Sequence, residues 1–216
     1  MTANEDMMIR VWEITLEEIK LTLCGHTKEV YSLDIAHEAE KIASGSADGT
    51  VRLWDINSGD MISIFKIKNG VTCVRLSSDR RFLMAGSLDQ HIYLWRIGDK
   101  ELIVRLKGHV DSVYDIVFSR TGNTLISAAS LDKSVKVWEL PRDLGRTPSG
   151  VIACKYTLNG HNDYVLCVAV SSDGRWIVSV GKDQSIRFWS AENGDHVSQL
   201  TIRAHMGPGR TEICFC

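Results

Sequence analysis

Five short segments alternate apolar with mostly polar side chains and each ends on tryptophan: Ile9-Arg10-Val11-Trp12, Val51-Arg52-Leu53-Trp54, Ile92-Tyr93-Leu94-Trp95, Val135-Lys136-Val137-Trp138 and Ile186-Arg187-Phe188-Trp189. Alternation with period two predicts strands. The tryptophans stand 42, 41, 43 and 51 residues apart, which marks an internal repeat. Six residues before each lies an aspartate (Asp6, Asp48, Asp89, Asp132, Asp183), predicting a turn ahead of the strand. Further upstream are two more apolar runs, such as those at 113–118 and 176–179, parted by Asp79-Arg80, Thr121-Gly122 or Asp173-Gly174. After the tryptophan, Asn57-Ser58-Gly59-Asp60 or Glu192-Asn193-Gly194-Asp195 turns the chain into a fourth run. Each unit therefore reads as a four-stranded antiparallel meander.

A sheet of about 40 residues cannot bury both faces alone, whereas copies packed face to face around an axis can. The predicted fold is all-β, a propeller of four-stranded antiparallel blades, four complete and one partial. A single sandwich would not require a tryptophan and an aspartate at a fixed offset in every unit. The expected divisions are a partial first blade over 1–24, contributing its last two strands; blades over 25–66, 67–107, 108–159 (with a loop inserted at 140–150) and 160–203; and an atypical tail over 204–216. Ala204-His205 begins another unit that the following residues do not continue, so a truncated or reduced gene product is expected. Two N-terminal strands and at most one C-terminal strand leave the arc open, exposing apolar faces that invite association.

Composition narrows the functional classes. The 216 residues carry 25 Lys plus Arg against 27 Asp plus Glu, a net charge of −2, so no general nucleic-acid-binding field is present. With 44% hydrophobic residues and 3 prolines, the chain is folded rather than disordered. No apolar run approaches the roughly 18 residues of a membrane helix, and the opening Met-Thr-Ala-Asn-Glu-Asp lacks signal-peptide character, so an intracellular protein without membrane contact is expected. The 6 cysteines are scattered free thiols; Cys214 and Cys216 alone are close, and they lack the further ligands a metal site needs. No cofactor is expected.

Gly25-His26, Gly108-His109 and Gly160-His161 each open a unit. With the Trp54-Asp55 ending, these dipeptides resemble the WD repeat. That resemblance implies a buried hydrogen-bonded tetrad of histidine, serine, aspartate and tryptophan, which falls here on His26, Ser44, Asp48 and Trp54, and again on His161, Ser179, Asp183 and Trp189. The unit of Trp138 keeps His109 and Asp132 but has Ala128, and that of Trp95 has Lys68-Asn69-Gly70-Val71 in place of the histidine and Ala85 for the serine. Those two networks are expected to be incomplete or bridged by water. The recurring Ser/His/Asp set imitates a hydrolase triad, but a nucleophile needs exposure and an oxyanion hole, and no GxSxG elbow exists. No catalytic residue is expected.

Longer strings, among them Ser44-Gly45-Ser46-Ala47-Asp48-Gly49-Thr50-Val51-Arg52-Leu53-Trp54-Asp55, Leu131-Asp132-Lys133-Ser134-Val135-Lys136-Val137-Trp138 and Asp163-Tyr164-Val165-Leu166, resemble the fungal Tup-type transcriptional corepressor from about Asn4 to His205. The histidine-free unit and the long Trp138–Trp189 interval match that family's blade order and insertion. The helical segment through which such corepressors oligomerise is not in this sequence. The resemblance implies a non-enzymatic nuclear scaffold that represses transcription by binding sequence-specific DNA-bound repressors, together with a tetratricopeptide-repeat corepressor and histone tails, without direct DNA recognition. In WD propellers, the residue before the turn aspartate and the start of each first strand reach the narrower face, where partners dock. Those positions are Glu5, Ala47, Leu88, Leu131 and Lys182, and Glu29, Tyr31, Thr72, Ser112, Tyr114, Tyr164 and Leu166. The alternative is a WD-repeat adaptor for ubiquitin-ligase substrate recruitment or ribosome assembly.

Overall fold

A computed structural model describes residues 1–3, 6–13, 15, 17–36, 40–119, 124–129, 132–141 and 152–201. Glu5, Leu131, the inserted loop beyond Pro141 and the tail 204–216 lie outside the described residues. These residues form five antiparallel sheets with strands in chain order. The first holds β1 (Thr2–Ala3), β2 (Ile9–Glu13) and β3 (Glu18–Leu23). The second holds β4 (Val30–Ala36), β5 (Lys41–Ser46), β6 (Thr50–Asp55) and β7 (Met61–Lys66). The third holds β8 (Val71–Leu76), β9 (Phe82–Ser87), β10 (His91–Arg96) and β11 (Leu102–Lys107). The fourth holds β12 (Val113–Phe118), β13 (Thr124–Ala129), β14 (Ser134–Glu139) and β15 (Cys154–Asn159). The fifth holds β16 (Val165–Val170), β17 (Trp176–Gly181), β18 (Ser185–Ser190) and β19 (His196–Thr201).

One expectation is corrected. The N-terminal sheet has three strands, not two, because Thr2 and Ala3 pair with Arg10 and Ile9. Turning at Asp6, the chain folds back, and the Trp12 indole donates to the Thr2 hydroxyl at 3.0 Å.

The turn that opens each tryptophan strand has one geometry throughout. The residue after the aspartate is left-handed in every unit, with φ of 65° at Met7, 77° at Gly49, 73° at Gln90, 58° at Lys133 and 61° at Gln184. Only glycine adopts this conformation without steric cost. The aspartate offsets that cost by accepting the amide two residues on, at 2.9 Å from Thr50 and Ser134 and 3.1 Å from Ser185.

The innermost strands run side by side, β4 against β8, β8 against β12 and β12 against β16. Side chains of one sheet satisfy edge amides of the next: Ser32 accepts from Val74 at 3.1 Å, Asp34 from Leu76 at 2.6 Å and Asp115 from Val168 at 3.0 Å. Asp115 also takes an ion pair from Arg75 at 3.0 Å. Unpaired strand edges facing a neighbouring sheet would otherwise leave buried amides without partners.

Between consecutive sheets lie four apolar clusters built on one plan. The tryptophan of each sheet enters the aliphatic face of the sheet before it: Trp54 meets Ile9, Val11 and Leu23; Trp95 meets Val51, Leu53 and Phe65; Trp138 meets Ile92, Leu94 and Leu106; and Trp189 meets Val135, Val137 and Leu158. The four tryptophans are at most 4% exposed. Truncating such a side chain costs about 3–5 kcal/mol, so these contacts dominate the cohesion between sheets.

Candidate functional site

Inside the second and fifth sheets the expected tetrads are present. Trp54 Nε1 donates to Ser44 Oγ at 2.8 Å, His26 Nε2 lies 2.8 Å from the same oxygen, and His26 Nδ1 lies 2.9 Å from Asp48 Oδ2. In the fifth sheet Trp189 reaches Ser179 at 2.9 Å, His161 Nε2 lies 2.7 Å from Ser179, and His161 Nδ1 lies 3.0 Å from Asp183. One proton assignment satisfies every group: the serine hydroxyl donates to a neutral imidazole, whose Nδ1–H donates to the carboxylate. Burial pushes His26 and His161 down from the usual histidine value, which favours that neutral form.

The aspartates are held by more than histidine. Burial works against the Asp48 carboxylate, but hydrogen bonds from the Thr50 hydroxyl, the Thr27 amide and His26 bring it down to about 2. Asp183 also falls to about 2, burial again opposing, through Ser185, the Asn162 amide and His161. Thr50 and Ser185, two residues past their aspartates, donate at 2.6 and 2.7 Å and are members that sequence reasoning missed. The glycine before each histidine has a packing reason: a Cβ at Gly108 would come 2.6 Å from the Trp138 ring, and one at Gly160 3.1 Å from that of Trp189.

Chemically these sets are closed. Ser44 and Ser179 are fully buried and bonded to both tryptophan and histidine, so neither presents an oxygen to a substrate. In the fourth sheet His109 lies 2.6 Å from Asp132, which also accepts from Ser134 at 2.7 Å. Burial opposes the Asp132 carboxylate too, yet His109 and Ser134 bring it down to about 2.

In the third sheet, which lacks the histidine and the serine, the aspartate has another donor. Tyr93 supplies the missing donor, its hydroxyl 2.7 Å from Asp89 Oδ2, with its ring stacked on Trp95 at 5.6 Å and 12°. Burial and the neighbouring Asp89 raise the Tyr93 phenol to about 12, so it stays protonated and donating. In the first sheet Thr2 takes the serine's position. It stands ten residues before Trp12, as Ser44 stands before Trp54.

A second group of candidates lies at the aspartate-turn end of the sheets. Each first strand there carries a bulge, and the extra residue is Tyr31, Thr72, Tyr114 or Leu166. Bulges re-aim a side chain. Tyr31 and Tyr114 are 45% and 39% exposed and Leu166 is half-buried, but Thr72 is buried, its hydroxyl donating to the Val113 carbonyl of the next sheet. Ser112 is also buried, bonded to the Leu88 carbonyl at 3.5 Å. Those two residues therefore join neighbouring sheets instead of facing solvent. Leu88 and Lys182 are exposed, Glu29 and Tyr164 half-buried. In the second, third and fifth sheets the residue before the aspartate is drawn beside the start of its own sheet's first strand by a backbone bond, Ala47 to Glu29 at 2.9 Å, Leu88 to Gly70 at 3.0 Å and Lys182 to Tyr164 at 2.7 Å. The Lys182 ammonium also sits 5.2 Å over the Tyr164 ring.

Repeated four-stranded sheets, each with a tryptophan locked at its core, define the blades of a β-propeller scaffold. The chain belongs to the WD domain, G-beta repeat family, whose model matches residues 17–55, 59–96, 100–139 and 152–190. It is similar to Protein SPA1-RELATED 3 of Arabidopsis thaliana, 33% identical over 80% of this chain and 20% of that protein. It is 27% identical to Pre-mRNA-processing factor 17 of Homo sapiens, over 97% of this chain and 35% of that protein. With Periodic tryptophan protein 2 of Arabidopsis thaliana it shares 28% identity, over 97% of this chain and 22% of that protein. The chain thus spans about a fifth to a third of the length of these relatives.

Proposed function

We propose that this chain is a non-enzymatic protein-interaction scaffold whose aspartate-turn end binds short segments of DNA-bound repressors, and that it represses transcription in the nucleus by that tethering. The observation that carries the reading is the set of bulged residues at one end of the innermost strands, among which Tyr31 and Tyr114 are exposed at the same end of the sheets as exposed Leu88 and Lys182. Tyrosine gives large contact area at low entropic cost and is enriched where binding energy concentrates. The corepressor-like strings of the sequence supply the choice of partner. A second reading, an adaptor in pre-mRNA processing, draws on the similarity to Pre-mRNA-processing factor 17, which runs over nearly the whole chain.

Fusing the chain to a DNA-binding domain upstream of a reporter tests both. Repression that is lost in the Tyr31→Ala/Tyr114→Ala variant, with the variant's melting temperature unchanged, supports the corepressor reading. An unaffected reporter, with the chain recovered on splicing complexes, overturns it in favour of the second.

A further inference from the structure

The four interfaces between sheets have two halves that recur at fixed positions. One half is the tryptophan. The other is made by the residues three and one before the preceding sheet's tryptophan and by an apolar residue of that sheet's fourth strand, as with Val51, Leu53 and Phe65. Among the described residues, the halves on the first and the fifth sheets have no counterpart. Trp12, the tryptophan half of the first sheet, is 41% exposed. Ile186, Phe188 and Leu200 are the aliphatic half of the fifth sheet, since Ile186 pairs with Leu200 as Val51 pairs with Phe65. Leu200 is 56% exposed, where Leu23, Phe65, Leu106 and Leu158 are at most 3%, and Ile186 and Phe188 are half-buried where their counterparts Val51 and Leu53 are fully buried.

We propose that these two end faces are a mutual docking pair, and that a second copy of this chain places its Trp12 face on the Ile186–Phe188–Leu200 face of the first. The occupant follows from continuity with the interfaces already formed: the face needs an indole at the end of a sheet's tryptophan strand, and among the described residues Trp12 is the one at that repeat position left exposed, Trp176, 39% exposed, standing at the start of a different strand of its sheet. Trp12 is also positioned for the role, because its bond to Thr2 fixes the ring as the bond to Ser44 fixes that of Trp54. The contact is head to tail, so copies join through unlike faces and extend until both ends are used.

The test is light scattering on the full 216-residue chain over a concentration series, with Trp12→Asp and Leu200→Asp variants. Trp12 is 41% and Leu200 56% exposed, and circular dichroism with a thermal melt verifies that the variants fold. The expected mass of the parent chain rises above one copy, 24.1 kDa, with concentration, while each variant alone stays at one copy. An equimolar mixture of the two variants is expected to recover a species of two copies and no larger one, because Trp12→Asp keeps an intact aliphatic face and Leu200→Asp an intact tryptophan face. Three results overturn the proposal. A parent chain that is a single copy throughout means the end faces are covered within one chain. Variants that still associate mean the contact lies elsewhere. A mixture that stays at one copy means the two faces do not recognise each other.

Discussion

The second and third sheets are neighbours with the same strand order, yet they satisfy their turn aspartates by different means. In the second, Asp48 is served by a histidine from the preceding connection, and a serine links that histidine to Trp54. In the third, Asp89 is served by a tyrosine from its own sheet, four residues on, which lies flat against Trp95. Both aspartates sit ahead of a left-handed residue and both tryptophans fill the preceding sheet. What the repeat demands is a donor for the part-buried carboxylate and an apolar wedge between sheets; the residue that donates is replaceable. The second sheet gains a longer chain of bonds in which each member depends on the next, while the third combines the Tyr93 hydroxyl and its ring stack with His91, whose ring nitrogen lies 3.3 Å from the Asp89 carboxylate.

The largest effects should come from the wedge. Trp54→Ala is expected to cost about 3–5 kcal/mol and Trp12→Ala about 1, since Trp12 is 41% exposed and Trp54 is buried in the face of the first sheet; denaturant unfolding compares them. Next comes the donor. His26→Ala leaves both Ser44 and Asp48 short of a partner and should cost about 3 kcal/mol, against about 1 for Tyr93→Phe, which removes one hydroxyl and keeps the stack. Equal losses would remove the distinction between the two sheets. Ser44→Ala should cost about 1–3 kcal/mol and Ser58→Ala, at an exposed turn, under about 0.5.

Acid should act on the second and fifth sheets through their histidines. Because burial lowers His26 and His161 in the folded protein, the unfolded chain binds more protons as pH falls through about 6.5, so stability declines as the pH falls below about 7. A second decline follows from about pH 4 toward 2, where Asp48, Asp132 and Asp183 protonate more readily in the unfolded chain than in the fold. Melting temperatures across that range check both windows, and His26→Ala should flatten the first. The smallest effect is at the turns: Gln184→Gly relieves a left-handed side chain and should stabilise by about 0.5 kcal/mol.

Much of this was legible in the sequence. Tryptophan spacing and period-two alternation placed the complete sheets, because strand, turn and wedge recur in one register. The tetrads followed from the resemblance to the WD repeat, carried over by position onto each unit. Thr2 lies ahead of the Asn4-Glu5-Asp6 segment at which the first unit becomes recognisable, and only its ten-residue offset to Trp12 points to it. Tyr93 was hidden by its role: an aromatic at an alternating strand position reads as core, and only the stack on Trp95 brings its hydroxyl to Asp89. The bonds between sheets, such as Asp34 to Leu76 and Thr72 to Val113, join residues about 40 apart and depend on which strand edges face each other. No local pattern encodes that pairing, and for this reason Thr72 and Ser112 were expected at the surface.

The most direct measurement is a double-mutant cycle on His26→Ala and Ser44→Ala by equilibrium unfolding. A network in which the indole, hydroxyl, imidazole and carboxylate satisfy one another predicts strong coupling: the double variant should lose little more than His26→Ala alone, with an interaction energy of about 1–3 kcal/mol. Losses that simply add would mean the two side chains contribute independently, and would contradict the account of the tetrad as a single buried unit.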